Sequence, residues 1–225
     1  MTSRHESLIR SLGSDLKPVQ RLRPPALRAL GWLAIVGALA VALAAFANTH
    51  AMWERVTAAP DMWLAVIGST ATAVLAGIAA FELSLPDAPR SWAWLPLPGA
   101  LLWIGASGFG CLRVWVVPAA HVAELSEARD CLLFIIALSV PLSALLLLML
   151  RRACPLNPGL TAAIGGLAVA AAAATLLNFF HPYDAAATDL TVHTFAVALV
   201  VGINRALGGR IFSLAGVTAG RLPPN

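Results

Sequence analysis

Charge is scarce in this chain. Only 12% of its 225 residues are Asp, Glu, Lys or Arg, while 59% are hydrophobic and the mean hydropathy is +0.81. A soluble domain carries about 25% charged residues, so the composition excludes a water-exposed globular surface. It leaves one membrane domain with short tails. Cysteine is equally sparse. Cys111, Cys131 and Cys154 are the three present, and no pair has the spacing of a zinc site. No histidine lies deep in an apolar run, which removes a haem held by paired axial ligands. The centres of the long apolar runs also lack Asp, Glu, Lys and Arg. Transporters place such groups at mid-membrane or break paired helices in both halves. Here the only mid-run break is Pro141.

What remains is helical and apolar. Six runs, at about Leu27–Ala47, Met62–Phe81, Leu95–Leu112, Cys131–Leu150, Gly159–Phe180 and Leu190–Leu207, match the roughly 17–25 residues that a span needs. The third starts on Pro96 and Pro98, and the sixth is short, ending on Asn204-Arg205. Arg28 and Arg205 sit at run ends, where long side chains are expected to snorkel. Ala45-Phe46-Ala47 has the small residues of a signal cleavage site, but the proline-rich leader before the run is too long for a signal n-region. The run therefore reads as an uncleaved span. The expected fold class is all-α: an integral membrane bundle of six transmembrane helices with a short amphipathic N-terminal cytoplasmic helix. The expected organisation is a tail at 1–26, a membrane domain at 27–210 and a C-terminal tail at 211–225.

Orientation follows from Lys and Arg. With both termini inside, the inner segments hold Arg4, Arg10, Lys17, Arg21, Arg23, Arg28, Arg90, Arg151, Arg152, Arg205, Arg210 and Arg221, leaving Arg55, Arg113 and Arg129 outside. That asymmetry is a positive-inside pattern. It also accounts for the net charge of +4 without a nucleic-acid partner.

The longest polar stretch is the N-terminal one. Leu8, Leu12 and Leu16, with Ile9 beside them, recur at helical spacing. Ser3 and Glu6 have the spacing of a capping box, and Pro18 stops the helix. Such a stripe fits either a groove on a protein partner or the membrane surface, with Arg4, Arg10 and Lys17 against anionic lipid. The segments Asn48–Asp61 and Arg113–Asp130 read as outer loops, too short for a domain. The fifth run is rich in Gly and Ala from Gly165 to Ala174, which predicts a central place in the bundle.

Candidate chemistry is thin. Cys111 and Cys131 fall at the outer ends of the third and fourth runs, so they are expected near the same boundary; both also suit small apolar positions. His50, His121, His181 and His193 fall outside, where histidines bind metals or respond to acid, though interfacial polar roles are commoner. Gly105-Ala106-Ser107-Gly108 resembles the nucleophile motif of rhomboid intramembrane proteases, with His193 on the last run as a partner. The serine falls on the third run, however, and Trp53-Glu54-Arg55 is not that family's loop motif. The expectation is no enzymatic activity.

A broader resemblance starts at Lys17-Pro18-Val19-Gln20-Arg21-Leu22-Arg23-Pro24-Pro25, followed by Arg28 and Trp32. It is similar to the opening of the NrsF-like proteins, six-span bacterial inner-membrane regulators of a sigma factor. Pro141, the Arg151-Arg152-Ala153-Cys154-Pro155-Leu156-Asn157-Pro158 loop and Gly165-Gly166-Leu167-Ala168 extend the similarity over most of the chain. The resemblance implies an anti-sigma factor that holds an extracytoplasmic-function sigma factor and releases it on an envelope signal. The partner site would then be Leu8, Leu12, Leu16, Arg10, Arg21 and Arg23. Sensing would fall to Cys131, Cys111 and His181. Where the resemblance leads one to expect a second outer cysteine, this chain has His181-Pro182. The tail is too short, and lacks the cysteines, for a zinc-containing anti-sigma domain. The implied partners are the sigma factor and the bilayer; no metal, no cofactor and no direct nucleic-acid contact are implied.

Overall fold

A computed structural model describes residues 2–14, 22–58, 60–116, 125–153, 155–180 and 187–219. Among these residues the chain is helical, with no strand. Helix α1 (Thr2–Ser14) precedes α2 (Pro25–Ala44), the short α3 (Thr49–Ala58), α4 (Pro60–Glu82), α5 (Leu97–Val116), α6 (Leu125–Leu150), α7 (Pro158–Leu177) and α8 (Ala187–Ala219). Two short 3-10 turns, Arg90–Trp94 and Arg151–Ala153, lie before α5 and after α6.

Local sequence sets the helix starts. Pro25 and Pro158 occupy the first turns of α2 and α7, where a missing N–H costs nothing. Asp61 stands in the first turn of α4, complementing the helix dipole. Asn48 caps α3: its Oδ1 accepts the Ala51 N–H at 3.1 Å. The segment read from sequence as an outer loop is therefore largely helical. Helix α1 already starts at Thr2, ahead of the expected Ser3 cap. Helix α6 continues through Pro141.

Among the described residues, five helical stretches are long and apolar enough to cross a membrane: Pro25–Ala44, Asp61–Glu82, Arg129–Ala153, Pro158–Leu177 and Thr191–Ile211. Leu30, Val41, Leu133, Val140, Leu148 and Phe195 point out of the bundle from these helices. An apolar exterior on this scale is a surface for lipid, not water. The protein is a multi-pass membrane protein.

The contacts between helices fix their directions. Helix α2 meets α4 at Arg28–Ser84 and Trp32–Gly77. Helix α4 meets α5 at Gly68–Trp103 and Thr72–Gly99, and α7 at Leu83–Thr161 and Ser69–Thr175. In each pair one number rises as the other falls, so the helices are antiparallel. Helices α7 and α8 are antiparallel as well, through Gly159–Arg205 and Gly166–Val201. Helices α6 and α8 are parallel, since Cys131 faces His193 and Ser143 faces Asn204. Together these relations make α2, α4, α5, α6, α7 and α8 alternate in direction along the chain.

Helix α7 is the centre of the bundle, as its small residues predicted. Its apolar window is 72% buried, against 17% for that of α2. Lipid tails are as apolar as leucine, so helices associate through close packing and hydrogen bonds. Glycine supplies the closeness. A Cβ on Gly165 would lie 2.6 Å from Leu146 Cδ2, and one on Gly166 would lie 2.9 Å from Asn204 Cβ. One on Gly68 would lie 2.5 Å from the backbone nitrogen of Trp103.

Two helices have other bounds than the apolar runs they carry, and the expectation for Arg28 needs correction. The third apolar run starts its helix at Leu97 rather than Leu95, because Leu95 closes the preceding 3-10 turn. The last helix does not stop at Leu207; it continues to Ala219, about 50 Å in all at 1.5 Å per residue. Arg28 does not snorkel: it is 8% exposed, since its position on α2 faces α4 and α6 rather than the periphery.

Candidate functional site

The alternating directions gather one set of groups at each end of the bundle. One end holds the start of α2, the end of α4, the end of α6 and the start of α7. It therefore collects Arg28, Arg90, Arg151, Arg152 and Arg205. Here Arg90 Nη2 donates to Asn157 Oδ1 at 3.2 Å. The other end holds Asp61, Cys131, Phe180 and His193.

Helix α1 and the residues before α2 precede the arginine-rich end. Every described side chain of α1, from His5 to Ser14, is exposed. Leu8, Ile9 and Leu12 are among them, and the rest of the described chain does not cover their apolar faces. The hydroxyls of Ser11 and Ser14 donate to the carbonyls of Leu8 and Ser11 at 2.9 and 2.8 Å. Those donors are spent within the helix, so the stripe stays apolar with Arg10 on the same helix. Arg23 is exposed between Leu22 and Pro24. Leu16 and Arg21, also expected in the partner site, lie outside the described residues.

Arg28 is a functional-looking residue at this end that is absent from the expected partner and sensing sites. Its Nη1 donates to Ser84 Oγ at 3.3 Å, and its Nη2 donates to the carbonyl of Met149. The guanidinium carbon lies 5.2 Å from the Phe81 ring centroid, within cation–π range. The Met149 carbonyl is one of the last four of α6, which have no partner inside the helix. Ser84 Oγ in turn donates to the Phe81 carbonyl at 2.6 Å. The fork of the guanidinium thus joins α2 to the ends of α4 and α6. A signal was present in the sequence: an arginine one turn into an apolar helix needs acceptors, and helix ends supply them.

At the opposite end Cys131 is buried, with its Sγ 3.8 Å from His193 Nε2. Phe134 and Phe180 meet beside it, with centroids 5.7 Å apart. Cys131 and His193 come together although the sequence reading had assigned them to separate ideas. Cys111 falls within α5, but its side chain lies outside the described residues, as do His121, Cys154 and His181. His50 pairs with Glu54 at 3.6 Å on exposed α3. No group of three His, Cys, Asp or Glu side chains could hold a metal among the described residues. Ser107 lies on α5 and His193 on α8, and among the described residues no hydrogen bond joins them. A nucleophile and its base should stand within hydrogen-bond reach.

A multi-pass helical membrane protein with an amphipathic, uncovered N-terminal helix is the class that this architecture defines. Within that class the chain belongs to the NrsF family, described as negative regulator of sigma F, whose family model matches residues 12–213. No curated protein and no solved structure matches the chain. Membership makes the protein a negative regulator of a sigma factor at the level of the family, with a sigma factor as the implied partner.

Proposed function

We propose that the protein is an inner-membrane anti-sigma factor that holds an extracytoplasmic-function sigma factor through its N-terminal tail and lets it go on an envelope signal. The single observation that carries the tail assignment is the uncovered stripe of Leu8, Ile9 and Leu12 on α1. Burying one such side chain is worth roughly 1.5–3 kcal/mol. Arg10, Arg21 and Arg23 add attraction toward acidic surface, which speeds encounter more than it tightens the complex. Leu16 keeps the same four-residue sequence spacing and belongs to the proposed partner site. Pro24 and Pro25 keep the connection to α2 short and stiff. A sigma factor kept there cannot join RNA polymerase.

In this reading α5 is a sixth span. It has 20 residues, enough for about 30 Å, and it packs along α4 at Gly68 and Gly99. An even number of spans puts the tails at 1–26 and 211–225 on one side, and the arginine excess puts that side in the cytoplasm. The protein acts by binding, without enzymatic chemistry or a cofactor. Signal reception is assigned in this reading to the end where Cys131 meets His193, with Cys111 and His181 as further candidate sensing residues.

The deciding experiment is co-purification of the full chain with the sigma factor encoded beside it. A variant lacking residues 1–24 should insert normally and lose the partner. Retention by the truncated chain would move the binding site to the inner loops and defeat the tail assignment.

A further inference from the structure

A cavity of about 910 Å³ opens at the arginine-rich end, where the segment before α2 passes the end of α6. Its walls carry Arg23, Arg28, Arg151 and Arg152, with Leu148 and Met149 on the bundle side. We propose that this cavity is a binding site for the phosphate headgroup of an anionic phospholipid.

The argument starts from charge. Four guanidinium groups share one cavity, and among the described residues none of the four makes an ion pair with a carboxylate. Arg28 is more than nine-tenths buried, yet its partners are neutral: a hydroxyl, a backbone carbonyl and an aromatic ring. These contacts hold its position and supply no counter-charge among the described residues, and buried charges ordinarily find one. Arginine presents a rigid fork that matches phosphate oxygens.

Depth selects a lipid as the source of the phosphate. Arg28 lies in the first turn of α2 and Arg151 just past the end of α6, which is the level of headgroups. Leu148, one turn further into the membrane, is exposed on the outer face of α6. An acyl chain would run along it while the phosphate sits among the arginines. Basic pockets between span ends are suited to phospholipid headgroups. The inference uses the protein's membrane placement and does not depend on which leaflet the end faces.

The test is reconstitution of the full chain in nanodiscs of phosphatidylcholine mixed with phosphatidylglycerol, followed by native mass spectrometry of the retained lipid. The wild type should retain phosphatidylglycerol preferentially. An R151Q/R152Q variant, which leaves the tethering Arg28 and the tail's Arg23 in place, should lose that preference by on the order of ten-fold. An R90Q/R205Q control removes exposed charge from the same end and should keep it. Equal losses in both variants would reduce the effect to diffuse surface charge and overturn the site. Stabilisation of the wild type by inorganic phosphate in pure phosphatidylcholine, equal to that by phosphatidylglycerol, would overturn the lipid as its source. If the R151Q/R152Q variant kept its lipid but lost the sigma factor, the cavity would be a protein-docking surface and the proposal would fall. Tail deletion leaves Arg28, Arg151 and Arg152 in place, so failure of the tail reading registers separately.

Discussion

Arg28 and Met149 lie 121 residues apart in sequence, and the guanidinium of the first donates to the carbonyl of the second. The contact ties α2, whose apolar stretch is only 17% buried, to the end of α6. Arg28→Ala would leave that carbonyl and Ser84 Oγ without their donor, at a cost of about 1–3 kcal/mol per buried group. Arg28→Lys should recover only part of this, because one ammonium cannot reproduce the fork. Thermal unfolding in a fixed lipid, followed by tryptophan fluorescence, should rank wild type above Lys above Ala. Equal midpoints for all three would show that the contact contributes nothing to holding α2.

Glycine should divide into two classes. At Gly68 a methyl group would press on the Trp103 backbone, and at Gly99 it would lie 2.8 Å from the Thr72 nitrogen. Neither obstacle is a flexible side-chain tip, so Gly68→Ala and Gly99→Ala should separate α4 from α5 and lower stability by about 1–3 kcal/mol. Gly105 and Gly202 have nothing within 4 Å of the added carbon. Gly105→Ala and Gly202→Ala should be neutral or gain up to about 1 kcal/mol from helix propensity. Melting curves of the four variants decide this, and a destabilising Gly105→Ala together with a harmless Gly68→Ala would refute the close approach of α4 and α5.

Much of this fold was legible in composition and spacing. Long apolar runs can only be satisfied as helices when no water is available for backbone groups, so the helices fell where the runs fell. The Gly/Ala segment of α7 announced its central place because small residues are useful only where another helix comes close. For Arg28 the need for acceptors was legible, but their identity was not. Its acceptors are Ser84 and Met149, and no local pattern links positions so far apart. Helix α3 was missed for a different reason: His50, Glu54 and Arg55 lower its hydropathy, and the Asn48 cap was the available sign. The pairing of Cys131 with His193 likewise required knowing that α6 and α8 run parallel.

The alternation of helix directions makes a topology experiment sharp. With α5 crossing the membrane, single-cysteine labels at Ser3, Asn157 and Asn225 should react from the cytoplasm, on a background without the native cysteines. Labels at Thr57, Ser126 and Ala186 should react from outside. A label at Asn157 that reacted from outside would mean that the chain before α7 crosses an odd number of times, and the orientation proposed for the tail would be wrong.

The serine on α5 supplies a check on chemistry. Ser107 has no hydrogen bond to His193 among the described residues, and His193 lies against the Cys131 sulfur instead. Ser107→Ala should therefore leave repression and signal response unchanged in a reporter strain. Loss of a membrane-substrate cleavage in that variant would restore the protease reading. Cys131→Ser should blunt the response to oxidants or thiophilic metals if the Cys131–His193 contact takes part in reception. An unchanged response in the Cys111→Ser, Cys131→Ser double variant would remove the thiols from it.

The tail can be tested at single-residue resolution. Leu8 and Leu12 are four residues apart on α1, so they share a face, and both are exposed. If that face docks on the sigma factor, Leu12→Asp replaces buried apolar area by a charge that the interface would have to desolvate. Losing the leucine contact alone is worth roughly 1.5–3 kcal/mol, or about 10- to 100-fold in affinity, and the unpaired carboxylate adds to the loss. Glu6 lies on the far side of the same helix, so Glu6→Gln should change binding by less than about two-fold, as surface changes usually do. Both variants should insert in the membrane to wild-type levels, because α1 precedes the first span. Binding assays with purified sigma factor and reconstituted protein would read the two affinities directly. Equal retention by wild type and Leu12→Asp would show that the leucine stripe faces the lipid surface rather than a partner.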